Sequence, residues 1–214
     1  MRIGVFGGTF NPIHFGHLRV AEDVLETLSL QKMIFVPAGT PPLKAEGLAS
    51  ATDRMRMVEM AVEGNPAFEV SPVEIEREGI SYTIDTLRFM KELYPGAELF
   101  FILGIDAFRE IGKWKHIGEL LSTASFVVIG RPPYSFASLR GSPSLTCSEE
   151  SLIELDDGGI LSLDGDVSFL RVTPMEISAT DIRQRLRDGR SVRYLLPENV
   201  ESFIINNALY IRHN

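Results

Sequence analysis

Four short runs of this 214-residue chain carry no polar side chain: Ile3 to Phe6, Met33 to Val36, Leu99 to Leu103 and Phe126 to Ile129. A strand with one wet face alternates apolar and polar residues, whereas an unbroken apolar run suits a strand buried on both faces. Between these runs the apolar residues follow a helical period. Leu18, Ala21, Val24, Leu25 and Leu28 mark a helix from Phe15 to about Ser29. Thr52 or Asp53 can cap a second helix, with Met57, Val58, Met60 and Ala61 on its apolar side. Ser81 to Leu93 and Trp114 to Leu121 read as further helices, and Phe68 to Ser71 and Val73 to Glu76 as short strands split by Pro72. Phe169 to Val172 is another strand, and Ser178 to Asp188 and Pro197 to Ala208 are closing helices. Strand and helix alternating over short connections predict an α/β fold, a doubly wound parallel sheet, in a single domain spanning 1–214.

Such sheets bind ligands beyond the carboxyl ends of their strands, where the strand order reverses. Gly7-Gly8-Thr9, the loop carrying Lys44 and Gly104-Ile105-Asp106 all follow strand C-termini, so they should share one crevice. Pro132 to Asp166 breaks the pattern. It is rich in Ser, Gly, Pro and acidic residues, which predicts a surface insertion at about 132–166. Leu152 to Leu155 and Ile160 to Leu163 are its candidate strands, with a turn at Asp157-Gly158-Gly159.

The segment Gly4 to Leu18 carries the first chemistry. A strand, a glycine turn and a helix start form a natural phosphate site, because backbone N–H groups can approach the ligand and the helix N-terminus is partly positive. His14 and His17 stand at that helix start, and imidazole donates to phosphate oxygen in either charge state. Their bland alternative is a turn cap and a polar surface residue. Neither the three-glycine dinucleotide fingerprint nor the Gly-Lys-Ser/Thr phosphate loop is present. A second constellation is Ile177-Ser178-Ala179-Thr180-Asp181-Ile182-Arg183. Ser178 and Asp181 have capping-box spacing, and Ser178, Thr180 and Arg183 could meet phosphates from that helix start.

A net charge of −8 argues against a broad basic surface for nucleic acid, though not against small phosphates in one cleft. Cys147 is the sole cysteine, which excludes an internal disulfide or a cysteine metal cage. With no signal peptide and no bilayer-spanning apolar run, a cytoplasmic protein away from membranes is expected.

Together, Gly7 to His17 and Ile177 to Arg183 resemble the paired signatures of the nucleotidyltransferase superfamily with the His-x-Gly-His motif. Between them Pro37 to Lys44, Tyr82 to Leu87, Leu103 to Asp106 and Trp114, in that order, resemble the bacterial nicotinate-nucleotide adenylyltransferases. That family makes deamido-NAD from nicotinate mononucleotide and ATP. The resemblance spans the chain outside Pro132 to Asp166 and implies a Rossmann-like nucleotidyltransferase fold with C-terminal helices. It also implies roles. Gly7, Gly8, Thr9 and Phe10 would line the ATP side, and His14, His17, Lys44 and Arg183 would stabilise phosphate charge. Gly104 and Asp106 would contact the ribose, and Ser178 and Thr180 the β and γ phosphates. Trp114 would stack on the nicotinate ring, whose carboxylate would meet backbone N–H groups of Thr83 and Lys115. The bland alternatives are core packing for Trp114, a helix cap for Asp106 and a solvated loop residue for Lys44. Mg²⁺ would come with ATP, with no dedicated metal cage, and homo-oligomerisation is left open.

Asn11 stands where the family more often has Asp, Leu43 where His is frequent, and Ala179 where Ser is frequent. Asn can serve at a turn as Asp does. Leu43 weakens any role for a loop histidine. The alternative activities are another adenylyl- or cytidylyltransferase, such as a phosphopantetheine adenylyltransferase, and a nucleotide sensor without turnover.

Overall fold

The computed structural model describes residues 1–40, 47–130, 136–139, 160–162 and 167–211. Lys44, Leu43 and most of the 132–166 insertion, with Leu152 to Leu155 and the Asp157-Gly158-Gly159 turn, lie outside the described residues.

The centre is a seven-stranded sheet. Strands β1 (Arg2–Gly8), β2 (Lys32–Pro37), β3 (Phe68–Val70), β4 (Glu98–Gly104) and β5 (Ser125–Gly130) are joined by parallel pairings. Strand β6 (Ile160–Ser162) lies at the edge, antiparallel to β7 (Val167–Arg171), which pairs parallel with β5. The order is β3-β2-β1-β4-β5-β7-β6. The chain therefore winds outward from β1 in one direction, then returns to β1's other side at β4. That reversal opens a crevice above the C-termini of β1 and β4.

The unbroken apolar runs are buried on both faces, as expected. In β4, Leu99, Phe101 and Leu103 join the core on one side, and Phe100 and Ile102 the core on the other. Helices α1 (Phe15–Thr27) and α2 (Ala51–Val62) cover the second side with the two C-terminal helices α7 (Ala179–Arg187) and α8 (Glu198–Asn206). Helices α4 (Thr83–Leu93), α5 (Ile105–Phe108) and α6 (Ile117–Thr123) cover the first. Among the described residues no helix is long and apolar enough to cross a membrane.

Helix α2 is capped by Ser50, whose hydroxyl accepts the Asp53 N–H at 3.0 Å, and not by Thr52 or Asp53 as expected. Two further elements depart from the sequence reading. Val73–Glu76 is a helical turn, α3, not a strand. Pro72 has φ −80° and ψ 1°, and its carbonyl accepts the N–H groups of Ile75 and Glu76 at 2.8 and 3.0 Å. Four residues whose apolar positions alternate cannot distinguish a turn of helix from a strand. The helix expected from Trp114 starts at Ile117 instead. Ile111–Lys113 forms a 3-10 turn, and His116 takes a left-handed conformation (φ 54°, ψ 44°) that breaks the path into α6.

Candidate functional site

Gly7 and Gly8 are the last residues of β1, paired with Val36 and Pro37, so the turn expected at this glycine pair begins only beyond them, at Thr9 and Phe10. A Cβ on Gly8 would stand 2.9 Å from the Phe10 ring, so that position cannot carry a side chain without displacing the aromatic. Phe10 itself has φ 47°, strained for a bulky residue. The strain is held by packing. The Phe10 ring meets Phe6, Phe35 and His17 edge-on or tilted, with centroids 5.7, 5.9 and 5.2 Å away.

His14 is the N-cap of α1 and His17 its third residue. Their rings stack, with centroids 3.7 Å apart and planes 27° from parallel. The backbone N–H of His14 donates to His17 Nδ1 at 3.3 Å. This contact assigns the neutral His17 proton to Nε2, a donor for ligand. The N–H groups of the first turn of α1 add to the local positive potential.

Across the cleft, Ser178 caps α7 by accepting the Asp181 N–H at 3.1 Å. The reciprocal half of a capping box is not formed, because the Asp181 carboxylate accepts from Arg185 Nε at 2.8 Å. In that cap the Ser178 oxygen is the acceptor, so the hydroxyl proton takes no part in it. Both helix starts and the end of β4 face one open cleft of about 870 Å³. Gly7, Gly8, Thr9, Phe10, His14, His17, Gly104, Asp106 and Ser178 all line it. Nine sequence-predicted residues are thus brought together from three separate segments. The volume suits a nucleotide-sized ligand.

Other candidates sit differently. Arg183 does not line the cleft. Its Nη1 donates to the Asn11 carbonyl at 2.8 Å and its Nη2 to Thr180 Oγ1 at 3.3 Å. It ties α7 to the histidine loop, and burial holds its pKa below the ordinary arginine value. Trp114 is half-buried against the α4-side core, edge-on to Phe101 at 6.2 Å. Thr83 opens α4, where backbone N–H groups have no acceptor within the helix. The Lys115 ammonium lies over the Tyr82 ring, 4.4 Å from its centroid, and 3.5 Å from Asp85 Oδ2. Thr83 and Lys115 therefore share the neighbourhood of the α4 start, apart from the phosphate end.

The cytidylyltransferase-like family model matches residues 5–185. A Desulfitobacterium hafniense (strain Y51) protein described as "Probable nicotinate-nucleotide adenylyltransferase" is 43% identical over 210 residues, 98% of this chain and 95% of that protein. A Geobacter sulfurreducens protein of the same description is 40% identical over 212 residues, 98% of each chain. The chain belongs to the nicotinate-nucleotide adenylyltransferase family. The fold agrees with a solved structure, a Plasmodium falciparum nicotinic acid mononucleotide adenylyltransferase complexed with NaAD. That match has a TM-score of 0.73 at 18% identity and covers 98% of this chain and 97% of the other.

Within this member of the nicotinate-nucleotide adenylyltransferase family, sequence reasoning missed Arg54, Tyr210 and Glu74 and read Asn11 only as a turn residue. Arg54 is fully buried and donates to three backbone carbonyls, those of Ala49, Thr9 and Gly39. Its signal was present: Arg54, Met57, Val58 and Val62 are the buried stripe of α2, so a cation occupies an apolar position. The Asn11 side chain donates to the Gly47 carbonyl and accepts from the Ala49 N–H, both at 3.1 Å, and from the Tyr210 hydroxyl at 2.6 Å. That placement uses the amide as both donor and acceptor. Burial drives the Tyr210 phenol well above its ordinary pKa. Glu74, buried beside α4, accepts from Thr86 Oγ1 at 2.6 Å.

Proposed function

We infer that this chain transfers the adenylyl group of ATP to nicotinate mononucleotide, giving deamido-NAD and pyrophosphate, a step of NAD biosynthesis. The observation that carries nucleotidyl transfer is the meeting, in one cleft, of a glycine strand end, a stacked histidine pair and a serine-capped helix. The acceptor follows from the family to which the chain belongs.

An ionised phosphate oxygen of the mononucleotide forms the new bond to the α-phosphorus of ATP. The bond from that phosphorus to the pyrophosphate oxygen breaks, in line, and its electron pair leaves with pyrophosphate. The nucleophile is already charged at neutral pH, so no strong general base is required. Rate comes from positioning and from stabilising charge on the equatorial and leaving oxygens. His14 and His17 are suited to that charge, with His17 donating through Nε2. Lys44 would add a positive charge from its loop. Ser178 and Thr180 would hold the β and γ phosphates, with Arg183 fixing both helix starts relative to each other. Gly104 and Asp106 would take the ribose, the carboxylate accepting two hydroxyl hydrogen bonds. Trp114, Thr83 and Lys115 would receive the nicotinate group.

Mg²⁺ would enter with the triphosphate. The donor set suits an ion carried by phosphate and water. The phosphate end offers imidazole and hydroxyl groups, and among the described residues no group of three or more His, Cys, Asp or Glu could hold a metal. When bound, the ion supplies neutralisation of phosphate charge. A cytoplasmic setting fits substrates of this kind.

Incubating the purified protein with ATP and each acceptor in competition tests the reading. Nicotinate mononucleotide should be adenylated in preference to nicotinamide mononucleotide, with stoichiometric pyrophosphate. Adenylation of phosphopantetheine in place of the mononucleotide, or ATP binding without pyrophosphate release, would overturn it.

A further inference from the structure

The β1–β2 ladder ends just short of the site. Gly8 pairs with Pro37, and the Ala38 N–H still donates to the Gly8 carbonyl at 2.9 Å. One residue on, the ladder stops, because Thr9 turns toward the histidine helix and Gly39 enters the loop before α2. Here a side chain takes over from the backbone. Arg54 Nη1 donates to the Thr9 carbonyl at 2.8 Å and Nη2 to the Gly39 carbonyl at 3.0 Å. Nε completes the set with the Ala49 carbonyl at 3.2 Å.

Gly39 is gripped from the opposite side as well. Its N–H donates to Ser81 Oγ at 3.2 Å, and the Ser81 N–H donates to the Thr40 carbonyl at 3.4 Å. Buried Glu74, whose backbone packs against Gly39, accepts from Thr86 of α4. The approach is too close for any side chain: a Cβ on Gly39 would stand 2.0 Å from the Glu74 carbonyl oxygen. A continuous line of hydrogen bonds therefore runs from Thr9 through Arg54, Gly39 and Ser81 to the turn that opens α4. One end of it is the phosphate loop, and the other is the segment holding Thr83.

Burying a guanidinium whose hydrogen bonds here all go to neutral carbonyls is costly. An apolar residue would fill the α2 stripe at lower cost, yet only a planar fork can bind two diverging carbonyls at once. We propose that Arg54 is a positioning residue that fixes the phosphate loop and the acceptor-side loop in register, continuing the β1–β2 ladder where the backbone cannot. The assignment of the two ends to two substrates rests on the function proposed above.

The test uses two variants, Arg54→Lys and Ser81→Ala, and their double variant. Turnover and calorimetric titration with a non-hydrolysable ATP analogue are measured on each. Lysine keeps the charge and loses the fork, so Arg54→Lys should lower kcat by about thirtyfold and weaken analogue binding. Ser81→Ala removes a group on the acceptor side. It should nevertheless weaken binding of the ATP analogue severalfold, and it should add little further loss in the Arg54→Lys background. A purely structural role would lower the melting temperature without transmitting an effect from Ser81 to ATP. A folded Arg54→Lys protein with wild-type turnover would overturn the proposal, as would unchanged analogue affinity in Ser81→Ala or full additivity of the pair. Should Arg54→Lys fail to fold, the Ser81→Ala titration decides alone. Wild-type turnover of nicotinate mononucleotide is read separately. Its absence, with Ser81→Ala still weakening analogue binding, would remove the functional reading and leave the brace standing.

Discussion

At the scale of single residues, the proposed function needs the histidine pair to donate to phosphate oxygen rather than to abstract a proton. Its Nδ1 contact to the His14 N–H assigns the His17 donor to Nε2, and the stacked rings hold both side chains at the helix start. His17→Ala should lower kcat by roughly a thousandfold, the scale of a lost charge-stabilising donor, while thermal melting stays near wild type. Pyrophosphate release and a melting curve on the same preparation check both halves. Trp114 stands apart from the phosphate end and is only half-buried. Trp114→Ala should raise KM for nicotinate mononucleotide and leave KM for ATP nearly unchanged. Its stability loss should fall below the roughly 3–5 kcal/mol of a fully buried aromatic. An effect confined to ATP would contradict stacking. That glycine, histidine and serine residues would meet in one cleft was legible from their places at strand and helix ends. Arg54 was not, since a lone arginine on a helix usually reads as solvated, and only its place in the Met57, Val58, Val62 stripe betrays its burial.

At the scale of elements, helix starts do most of the work, and their caps are measurable. Ser178→Ala removes the hydroxyl that accepts the Asp181 N–H. It should cost about 1 kcal/mol and lower Tm by about 2–4 °C for a chain of this size. It should also raise KM for ATP. A stability loss with unchanged KM would leave Ser178 as a cap alone. The strands β1, β2, β4 and β5 were legible because burial on both faces makes their apolar runs continuous. The turn at Val73–Glu76 was not, because two alternating apolar residues fit strand and helix alike, and Pro72 decides the matter through its carbonyl. The start of α6 was obscured similarly: nothing in local periodicity announces that His116 adopts a left-handed conformation.

At the scale of the whole molecule, the sequence showed the central strands β1, β2, β4 and β5 but not who their neighbours are. The reversal at β1 and β4 emerges only when all the pairings are in place, and that reversal puts the cleft where it is. Stability should also depend on pH through Glu74, whose carboxyl burial pushes above the ordinary value. A carboxyl raised in the folded state favours folding while it is neutral. That contribution is full below the unfolded-state pKa of about 4.3 and is lost as pH rises through the folded value. Urea unfolding of wild type and Glu74→Gln should therefore shift in favour of the Gln variant as pH rises from the unfolded-state pKa of about 4.3 through the folded value. A constant difference would mean that Glu74 titrates alike in both states. The central place of β1 has one more effect. Arg2 pairs with Glu98, so β1 leaves the ribosome roughly a hundred residues ahead of the strand that closes its second edge. At roughly 5–20 residues per second that interval lasts several seconds. Throughout it, a nascent chain presents the open flank of Ile3 and Val5 to whatever chaperone or sticky neighbour it meets. The strand that later anchors the phosphate loop is thus the one most exposed to misassembly during synthesis.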